Sequence, residues 1–254
     1  MTRYEVRGRA AWITLDSTDN RNALTGPLLE QLQTRLYEAE QDAGARAIVL
    51  TGEGPVFCAG ADLKARGGPA ASGAPDAQQN PFVRVLRFLG DCPKPVIAAI
   101  NGHAFGGGLG LVAAADIAVA VDSARFSFSE VRLGVIPAVI SVVVLPKLGV
   151  HQAMRLFVTG ERFGAADALQ YGLLHRVVAP DRLAAAVQEE VDAIALGGPI
   201  AVGEAKRLVR AVSRMPVEAA WAHTEAKTKA LFASDEAAEG IAAFAERRKP
   251  RWAE

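Results

Sequence analysis

The sequence predicts an α/β fold with a largely parallel sheet, followed by a helical subdomain. In the first half of the chain, short β-branched apolar runs alternate with helical periods, which is typical of parallel strands joined by right-handed crossovers. After about residue 150 the apolar spacing is almost wholly helical. We therefore expect an α/β core over residues 1–195 and a C-terminal helical subdomain over residues 196–254. This subdomain is expected to cover the core or a neighbouring subunit.

The individual elements follow from apolar spacing and bounded apolar runs. Gly26 to Asp42 is predicted as a helix because its apolar residues, from Leu28 to Ala39, recur at helical spacing. The predicted strands are AAWITLD (Ala10 to Asp16), RAIVLTG (46–52), KPVIAAING (Lys94 to Gly102), DIAVAVD (Asp116 to Asp122) and LHRVV (Leu174 to Val178). The later predicted helices are GVHQAMRLFVTG (149–160), GAADALQYGL (164–173), DRLAAAVQEEVDAIA (181–195), PIAVGEAKRLVRAV (199–212) and EAAWAHTEAKTKALF (218–232).

Charge and composition exclude several classes of partner. The 28 Lys and Arg residues balance 28 Asp and Glu, so no net field draws nucleic acid or an anionic membrane surface to the protein. Only 3 Tyr and 3 Trp residues are present, which argues against an RNA-binding surface of interleaved basic and aromatic groups. An anionic ligand must therefore be bound by local groups.

The cysteines and the N-terminus indicate a cytoplasmic protein. Cys58 and Cys92 are too few for a disulfide framework and are not spaced as metal ligands, so we expect a reducing compartment and no metal. Arg3, Glu5 and Arg7 occupy the region where a signal peptide needs an apolar core. No apolar run reaches the length that a transmembrane helix needs, so no membrane partner is expected.

A long segment between predicted strands lacks any period. Lys64 to Pro81 is rich in Gly, Ala, Pro and Ser, and it is predicted to be a mobile surface loop. Two interpretations stay open, a lid over the site and an insertion without function.

A glycine turn, Gly106 to Gly108 in AINGHAFGGGLGLVAAAD (Ala99 to Asp116), joins an apolar strand to an apolar helix. It lacks the Gly-Lys-Ser/Thr ending of a phosphate loop, and no acidic residue follows at the distance that a ribose contact needs. The first N–H groups of a helix have no partner within the helix, and glycines let a ligand oxygen approach them. These N–H groups therefore suit an oxyanion hole.

A second turn supplies another backbone donor. In GEGPVFCAGADLKA the strand before Gly52 leads into the small residues Ala59 to Ala61, here called the alanine turn. Two N–H groups around one carbonyl oxygen would stabilise an enolate, and losing one donor of such a hole typically costs about 3 kcal/mol of barrier. The two turns in this order therefore predict an enolate-forming enzyme.

Four segments carry a resemblance to a known family. FCAGADL, KPVIAAINGHAFGGGLGL, ADIAVAVDSARFSFSEVRLGVIP and FVTGERFGAADALQYGLLHRVV resemble consecutive motifs of the enoyl-CoA hydratase/isomerase, or crotonase, family, and the match spans nearly the whole chain. The resemblance implies a crotonase spiral of ββα units, a homotrimer or hexamer joined through the C-terminal helical subdomain, which also covers the active site, and acyl-CoA thioester substrates. It implies no cofactor, since coenzyme A is part of the substrate.

The resemblance also assigns site residues. It implies that the N–H groups of Ala61 and Gly107 form the oxyanion hole and that Glu130 is a catalytic acid/base. Ala59, Asp62 and Leu63 would line the coenzyme A path. A C-terminal lysine or arginine, here Lys249 in AERRKPRW, would reach the phosphates or the adenine, and the alternative is a solvated chain end.

Two departures from the family pattern bear on the reaction. The family's hydratases carry a first glutamate at the end of Gly-Gly-Gly-x-Glu, where this sequence has Gly110, which we expect to line the substrate site. After Pro137, Val139 and Ile140 replace a glycine-rich continuation and add bulk that would narrow or dry the acyl pocket. FSEVRLGVIPAVIS is similar to a bacterial branch assigned as methylglutaconyl-CoA hydratases.

Other readings of these residues stay open. Glu130 is flanked by Phe126, Phe128 and Val131, all expected in a strand, and could be an exposed carboxylate paired with Arg132. Burial near Phe126 and Phe128 would instead raise its pKa and suit proton transfer. Cys58 is expected to be a small core residue because no motif places a histidine beside it. The four histidines are expected to be structural, and His103 is the one worth testing.

The sequence thus predicts an acyl-CoA enzyme that forms a thioester enolate and moves a proton with Glu130. Hydration needs a positioned water, whereas a double-bond shift needs one carboxylate only, so Gly110 favours isomerisation and the broader resemblance favours a hydratase. An alternative of another class is a non-catalytic acyl-CoA or RNA-binding protein.

Overall fold

A computed structural model describes residues 1–62 and 80–254, and within them the strands form two sheets. Leu63 and most of the predicted loop from Lys64 to Pro81 lie outside the described residues. The strands are β1 (Thr2–Arg7), β2 (Ala10–Leu15), β3 (Ala47–Gly52), β4 (Val56–Cys58), β5 (Val96–Ile100), β6 (His103–Phe105), β7 (Ile117–Val121), β8 (Arg125–Ser127), β9 (Phe163–Gly164) and β10 (Arg176–Val178).

The first sheet has six strands in the order β1-β2-β3-β5-β7-β10. Only the β1–β2 pair is antiparallel, and every other neighbouring pair is parallel. All five residues of β5 are buried, as expected for a parallel strand covered on both faces. The predicted parallel α/β core is confirmed.

The second sheet has the order β4-β6-β8-β9, with β4, β6 and β8 parallel. Each of these three strands follows directly after a strand of the first sheet: β4 after β3, β6 after β5 and β8 after β7. After β4 and β6 the chain next forms a helix and returns to the first sheet, whereas after β8 and α4 it forms β9 of the second sheet before α5 and β10. This repeated ββα order is the predicted crotonase spiral, and the alanine and glycine turns directly follow β4 and β6.

Helices cover the sheets and form the C-terminal part of the chain. The predicted helix from Gly26 begins after Thr25, whose hydroxyl caps it by accepting the N–H of Leu28 at 3.2 Å. The described helices are α1 (Gly26–Gln41), α2 (Pro81–Asp91), α3 (Gly107–Ala114), α4 (Ala138–Thr159), α5 (Ala165–Gln170), α6 (Leu183–Ala195), α7 (Pro199–Val212), α8 (Val217–Phe232) and α9 (Asp235–Ala245).

The C-terminal helices bury little of their surface within one chain. Helix α6 packs on β5 and β7, whereas α8 has no buried residue and α9 buries only Ala243. Trp221 and Phe232 of α8 and Phe244 of α9 are exposed. The division of the chain at residue 195 stays a prediction.

One helix is long and apolar enough to cross a membrane by those two criteria alone, among the residues that the structure describes. This helix, α4, has 22 residues, contains Pro146 and is broken at Gly149, where φ is 69° and ψ is 162°. Ile140 and Val144 on its inner face are buried in the hydrophobic core, and the helix packs against α3. Helix α4 therefore packs one face on the core while Val142 and Met154 stay exposed, and it is longer than the predicted 149–160.

Candidate active site

The glycine turn and the alanine turn lie in direct backbone contact. A Cβ on Gly60, whose φ is +86°, would lie 2.7 Å from the Phe105 carbonyl oxygen and 3.1 Å from the Gly107 nitrogen. A Cβ on Gly108 would lie 2.5 Å from the Cys58 carbonyl oxygen. Only glycine fits at these two positions, because any side chain would push the two turns apart.

Both turns present a backbone donor at this junction. Gly107 is the first residue of α3, so its N–H has no acceptor within the helix. Ala61 pairs with Leu24 in an isolated parallel bridge, in which the Leu24 N–H donates to the Gly60 oxygen at 2.7 Å. In this pairing Leu24 bonds the residues on either side of Ala61, so the Ala61 N–H turns away from the bridge. The arrangement suits two donors to one carbonyl oxygen.

A buried asparagine holds the segment that leads into the alanine turn. Asn22 is fully buried, and its Nδ2 donates to the carbonyl oxygens of Glu53 at 3.0 Å and Val56 at 2.8 Å. The preceding residue, Arg21, accepts the Ala59 N–H at 3.0 Å. Asn22 is not among the residues predicted from the sequence, although asparagine commonly adopts the left-handed conformation that it has here, with φ near 56°.

The predicted coenzyme A path begins at this turn. Ala59 and Asp62 are half-buried and Ala61 is exposed, so the outer side of the turn is open to a ligand. Leu63 lies outside the described residues. These assignments stay predictions.

Glu130 lies beside the glycine turn. The Gly106 N–H donates to the Ser127 carbonyl oxygen at 3.0 Å, which joins the start of α3 to the end of β8, and Glu130 follows three residues later. A Cβ on Gly106 would lie 3.0 Å from Glu130 Oε1. The residue occupies a 3₁₀ turn, Ser129–Leu133, so the expectation that Phe128 and Val131 flank it in a strand is wrong: the strand β8 ends at Ser127.

The environment of Glu130 favours its protonated form. Burial raises the pKa of the carboxyl above its ordinary value, and a hydrogen bond from its own backbone N–H opposes this only in part. Oε2 is buried and has no hydrogen-bond partner among the described residues. Arg132, the alternative partner, donates instead to the Thr159 carbonyl oxygen at 3.4 Å. A carboxyl with a raised pKa and an unpartnered oxygen is suited to exchanging a proton with a ligand.

An apolar wall, made of Leu24, Phe82 and Ile140, borders the same end of α3. A Cβ on Gly107 would lie 2.8 Å from Leu24 Cδ1, and one on Gly110 would lie 2.4 Å from Ile140 Cγ2 and 3.2 Å from Phe82 Cζ. Ile140 is 3% exposed, whereas its neighbour Val139 is 38% exposed. Phe82 was missed in the sequence, because it lies in the first turn of α2 and reaches α3 only through the fold.

Lys249 is remote from this site within one chain. It is exposed and lies close in sequence to Trp252, whose carbonyl oxygen accepts hydrogen bonds from Arg46 at 3.3 Å and Arg9 at 3.4 Å. Arg46 precedes β3, so this tail lies near the opposite end of the first sheet from the two turns. A role for Lys249 in coenzyme A binding would require a second subunit, and it stays a prediction.

The remaining reactive groups near the site are structural. Cys58 is fully buried, and burial raises the pKa of its thiol to about 12, which disfavours the thiolate. His103 uses Nδ1 to accept the Arg125 N–H at 3.1 Å. Within residues 1–62 and 80–254, no three His, Cys, Asp or Glu side chains come together as metal ligands.

The chain is similar to known proteins over nearly its whole length. The model of the Enoyl-CoA hydratase/isomerase family matches residues 5–254. A carnitinyl-CoA dehydratase of Proteus mirabilis is 37% identical, with 97% of this chain and 96% of that protein covered.

Solved structures match the fold over the whole chain. An enoyl-CoA hydratase of Bacillus anthracis has a TM-score of 0.90 and is 32% identical, with 100% of this chain and 99% of that chain covered. An enoyl-CoA hydratase/isomerase of Marinobacter aquaeolei has a TM-score of 0.88 and is 34% identical over the same shares. The chain therefore belongs to the enoyl-CoA hydratase/isomerase (crotonase) family and is an enzyme that acts on acyl-CoA thioesters.

Proposed function

We propose that this enzyme shifts a carbon–carbon double bond of an enoyl-CoA thioester from the β,γ to the α,β position. The observation that carries the proposal is the Glu130 carboxylate beside Gly106, in the turn that presents the Gly107 N–H and contacts the turn of Ala61. Where a second acid/base would have to project from α3, the chain has Gly110, and the space is filled by Ile140 and Phe82.

The reaction needs one proton and no water. The Glu130 carboxylate takes a proton from the α-carbon, and the electron pair of that C–H bond delocalises into a dienolate with its negative charge on the thioester oxygen. The N–H groups of Ala61 and Gly107 stabilise that oxygen. The protonated Glu130 then returns the proton to the γ-carbon, which leaves the double bond conjugated with the thioester. A carboxyl with a raised pKa is suited to both steps near neutral pH.

Water elimination or addition is the second candidate, and one observation favours it. The Proteus mirabilis relative is named a carnitinyl-CoA dehydratase and matches nearly the whole chain. In such a reaction Glu130 would remove the α-proton while a β-hydroxyl leaves with a proton from a second acid. Gly110 supplies no such acid. A methylglutaconyl-CoA hydratase activity would require the same missing group.

The proposal is tested with a small panel of enoyl-CoA thioesters. We expect β,γ-enoyl-CoA to be converted to the conjugated isomer, followed by the absorbance of the conjugated thioester, with little 3-hydroxyacyl-CoA detected by mass spectrometry. Glu130→Gln is the matched control, since the amide is nearly isosteric but transfers no proton. Rapid hydration without isomerisation would favour the second candidate, and binding without turnover of any thioester would favour a non-catalytic acyl-CoA protein.

We further propose a homotrimer or hexamer in the cytoplasm. On the outer side of α4, Val142 and Met154 are 69% and 60% exposed, and Trp221 of α8 is 69% exposed. Apolar surface of this extent is typical of a subunit interface. A second subunit is also what would bring Lys249 to a bound coenzyme A.

A further inference from the structure

The apolar wall is built from three separate parts of the chain that meet on one face of α3. Gly107 and Gly110 are three residues apart and share this face. Phe82 lies near both, since a Cβ on Gly107 would be 3.5 Å from its Cζ and one on Gly110 would be 3.2 Å away. The Asn80 side chain fixes the start of α2 by accepting the Phe82 N–H at 3.0 Å. The position of Phe82 in the wall is therefore fixed by the cap of α2.

Ile140 is the member of the wall that enters the space of a side chain at position 110. Its Cγ2 lies 2.4 Å and its Cβ 3.2 Å from where a Cβ on Gly110 would be. The branched side chain is nearly stationary, because it is 3% exposed and lies in the first turn of α4. Position 110 cannot carry a side chain while Ile140 is in place.

The apolar side chains of the wall exclude an ordered water molecule. A bound water needs two to four polar partners, and the side chains of Leu24, Phe82 and Ile140 offer none. On the other side of the glycine turn, the Glu130 carboxylate lies against Gly106. An enolate formed at the oxyanion hole thus has a proton donor on one flank and an anhydrous surface on the other.

We propose that Ile140, supported by Phe82, determines which reaction the enzyme performs: it excludes both a second acid/base and a water from the face at Gly110, so that the enolate receives its proton from Glu130 on the other side. This inference rests on the proposed double-bond shift. The same wall would also select the substrate. An enoyl chain that carries only hydrogen or alkyl groups fits against it, whereas a β-hydroxyl placed there would lack a hydrogen-bond partner.

A double-mutant cycle tests the role of Ile140. Gly110→Glu alone is expected to lower the melting temperature and the yield of folded protein, because its Cβ meets Ile140. Ile140→Ala alone is expected to add little hydration, because an enlarged apolar space still holds no water. In Gly110→Glu with Ile140→Ala, we expect the melting temperature to recover and the ratio of 3-hydroxyacyl-CoA to isomerised product to rise by about tenfold or more.

The matched control replaces the exposed neighbour. Val139→Ala combined with Gly110→Glu should behave like Gly110→Glu alone, because Val139 does not contact position 110. Gly110→Ser with Ile140→Ala serves as a smaller polar variant, should the glutamate variant fail to fold. The proposal would be overturned if Gly110→Glu lowered the melting temperature equally with and without Ile140. It would also be overturned if a folded double variant gave an unchanged ratio of products. Absence of any double-bond shift in the unmodified enzyme would instead overturn the proposed function.

Discussion

Replacing Gly107 by proline tests the oxyanion hole most directly. Proline removes the N–H and is tolerated at the first position of a helix, which Gly107 occupies in α3. The added Cβ would meet Leu24 Cδ1 at 2.8 Å, and this atom is the movable end of a flexible side chain. Gly107→Ala adds the same Cβ and keeps the N–H, so the difference between the two variants isolates the hydrogen bond.

The expected magnitude follows from the two donors in the hole. Removing one of two donors typically costs about 3 kcal/mol of barrier, or 10²- to 10³-fold in kcat. We expect Gly107→Pro to lose this factor relative to Gly107→Ala, while the Kd of a saturated acyl-CoA stays within about threefold in both, because the charge on the oxygen develops only during reaction. Turnover is followed by absorbance and affinity by calorimetry. Equal rates in the two variants would show that Gly107 serves packing alone.

The other predictions concern protonation and assembly. Glu130→Gln should lower kcat by about 10²- to 10⁴-fold with unchanged acyl-CoA affinity, and full activity in this variant would remove Glu130 from the mechanism. Because burial raises the pKa of Glu130, kcat/KM in a pH series should fall at a pH above the ordinary glutamate value as the solution is acidified. Burial lowers the pKa of His175 from 6.5, and its Nδ1 accepts the Ala118 N–H at 3.1 Å, so the neutral form is native. Neutral His175 therefore contributes to the stability of the folded protein above pH 6.5, and this contribution is lost as the pH falls towards the lower pKa of the folded state. Below pH 6.5 the melting temperature should fall less in His175→Gln than in the unmodified enzyme. Light scattering at micromolar concentration should show a trimer or hexamer, and a stable monomer would contradict this.

The sequence predicts the first sheet well and the second sheet poorly. Strands such as Val96–Ile100 are buried on both faces and show as continuous apolar runs, so their type can be read directly and their limits to within two residues. The second-sheet strands have two or three residues, too few to show a period. Strand Thr2–Arg7 was missed because it is an exposed edge strand with charged residues.

The site divides in a similar way. The glycine turn at the start of α3 could be predicted, because a glycine run between a strand and a helix has a local signature, and the role of its N–H groups stays a prediction. The contact of Phe82 with Gly110 and the support of the alanine turn by Asn22 could not, because each joins segments that are distant in sequence. The bulk of Ile140 was expected from the sequence, but its insertion into the space of a side chain at position 110 is a property of the fold.

The two proposed donors of the oxyanion hole belong to the main chain, and this affects how the enzyme can diverge. Nearly every amino acid substitution at Ala61 leaves the amide N–H in place, because only proline removes it. The groups proposed to direct the proton, by contrast, depend on the side chains at positions 110, 130 and 140, and single codon changes alter them. A lineage built on this scaffold therefore keeps its means of making an enolate through extensive sequence drift, while the fate of that enolate is exposed to selection one residue at a time.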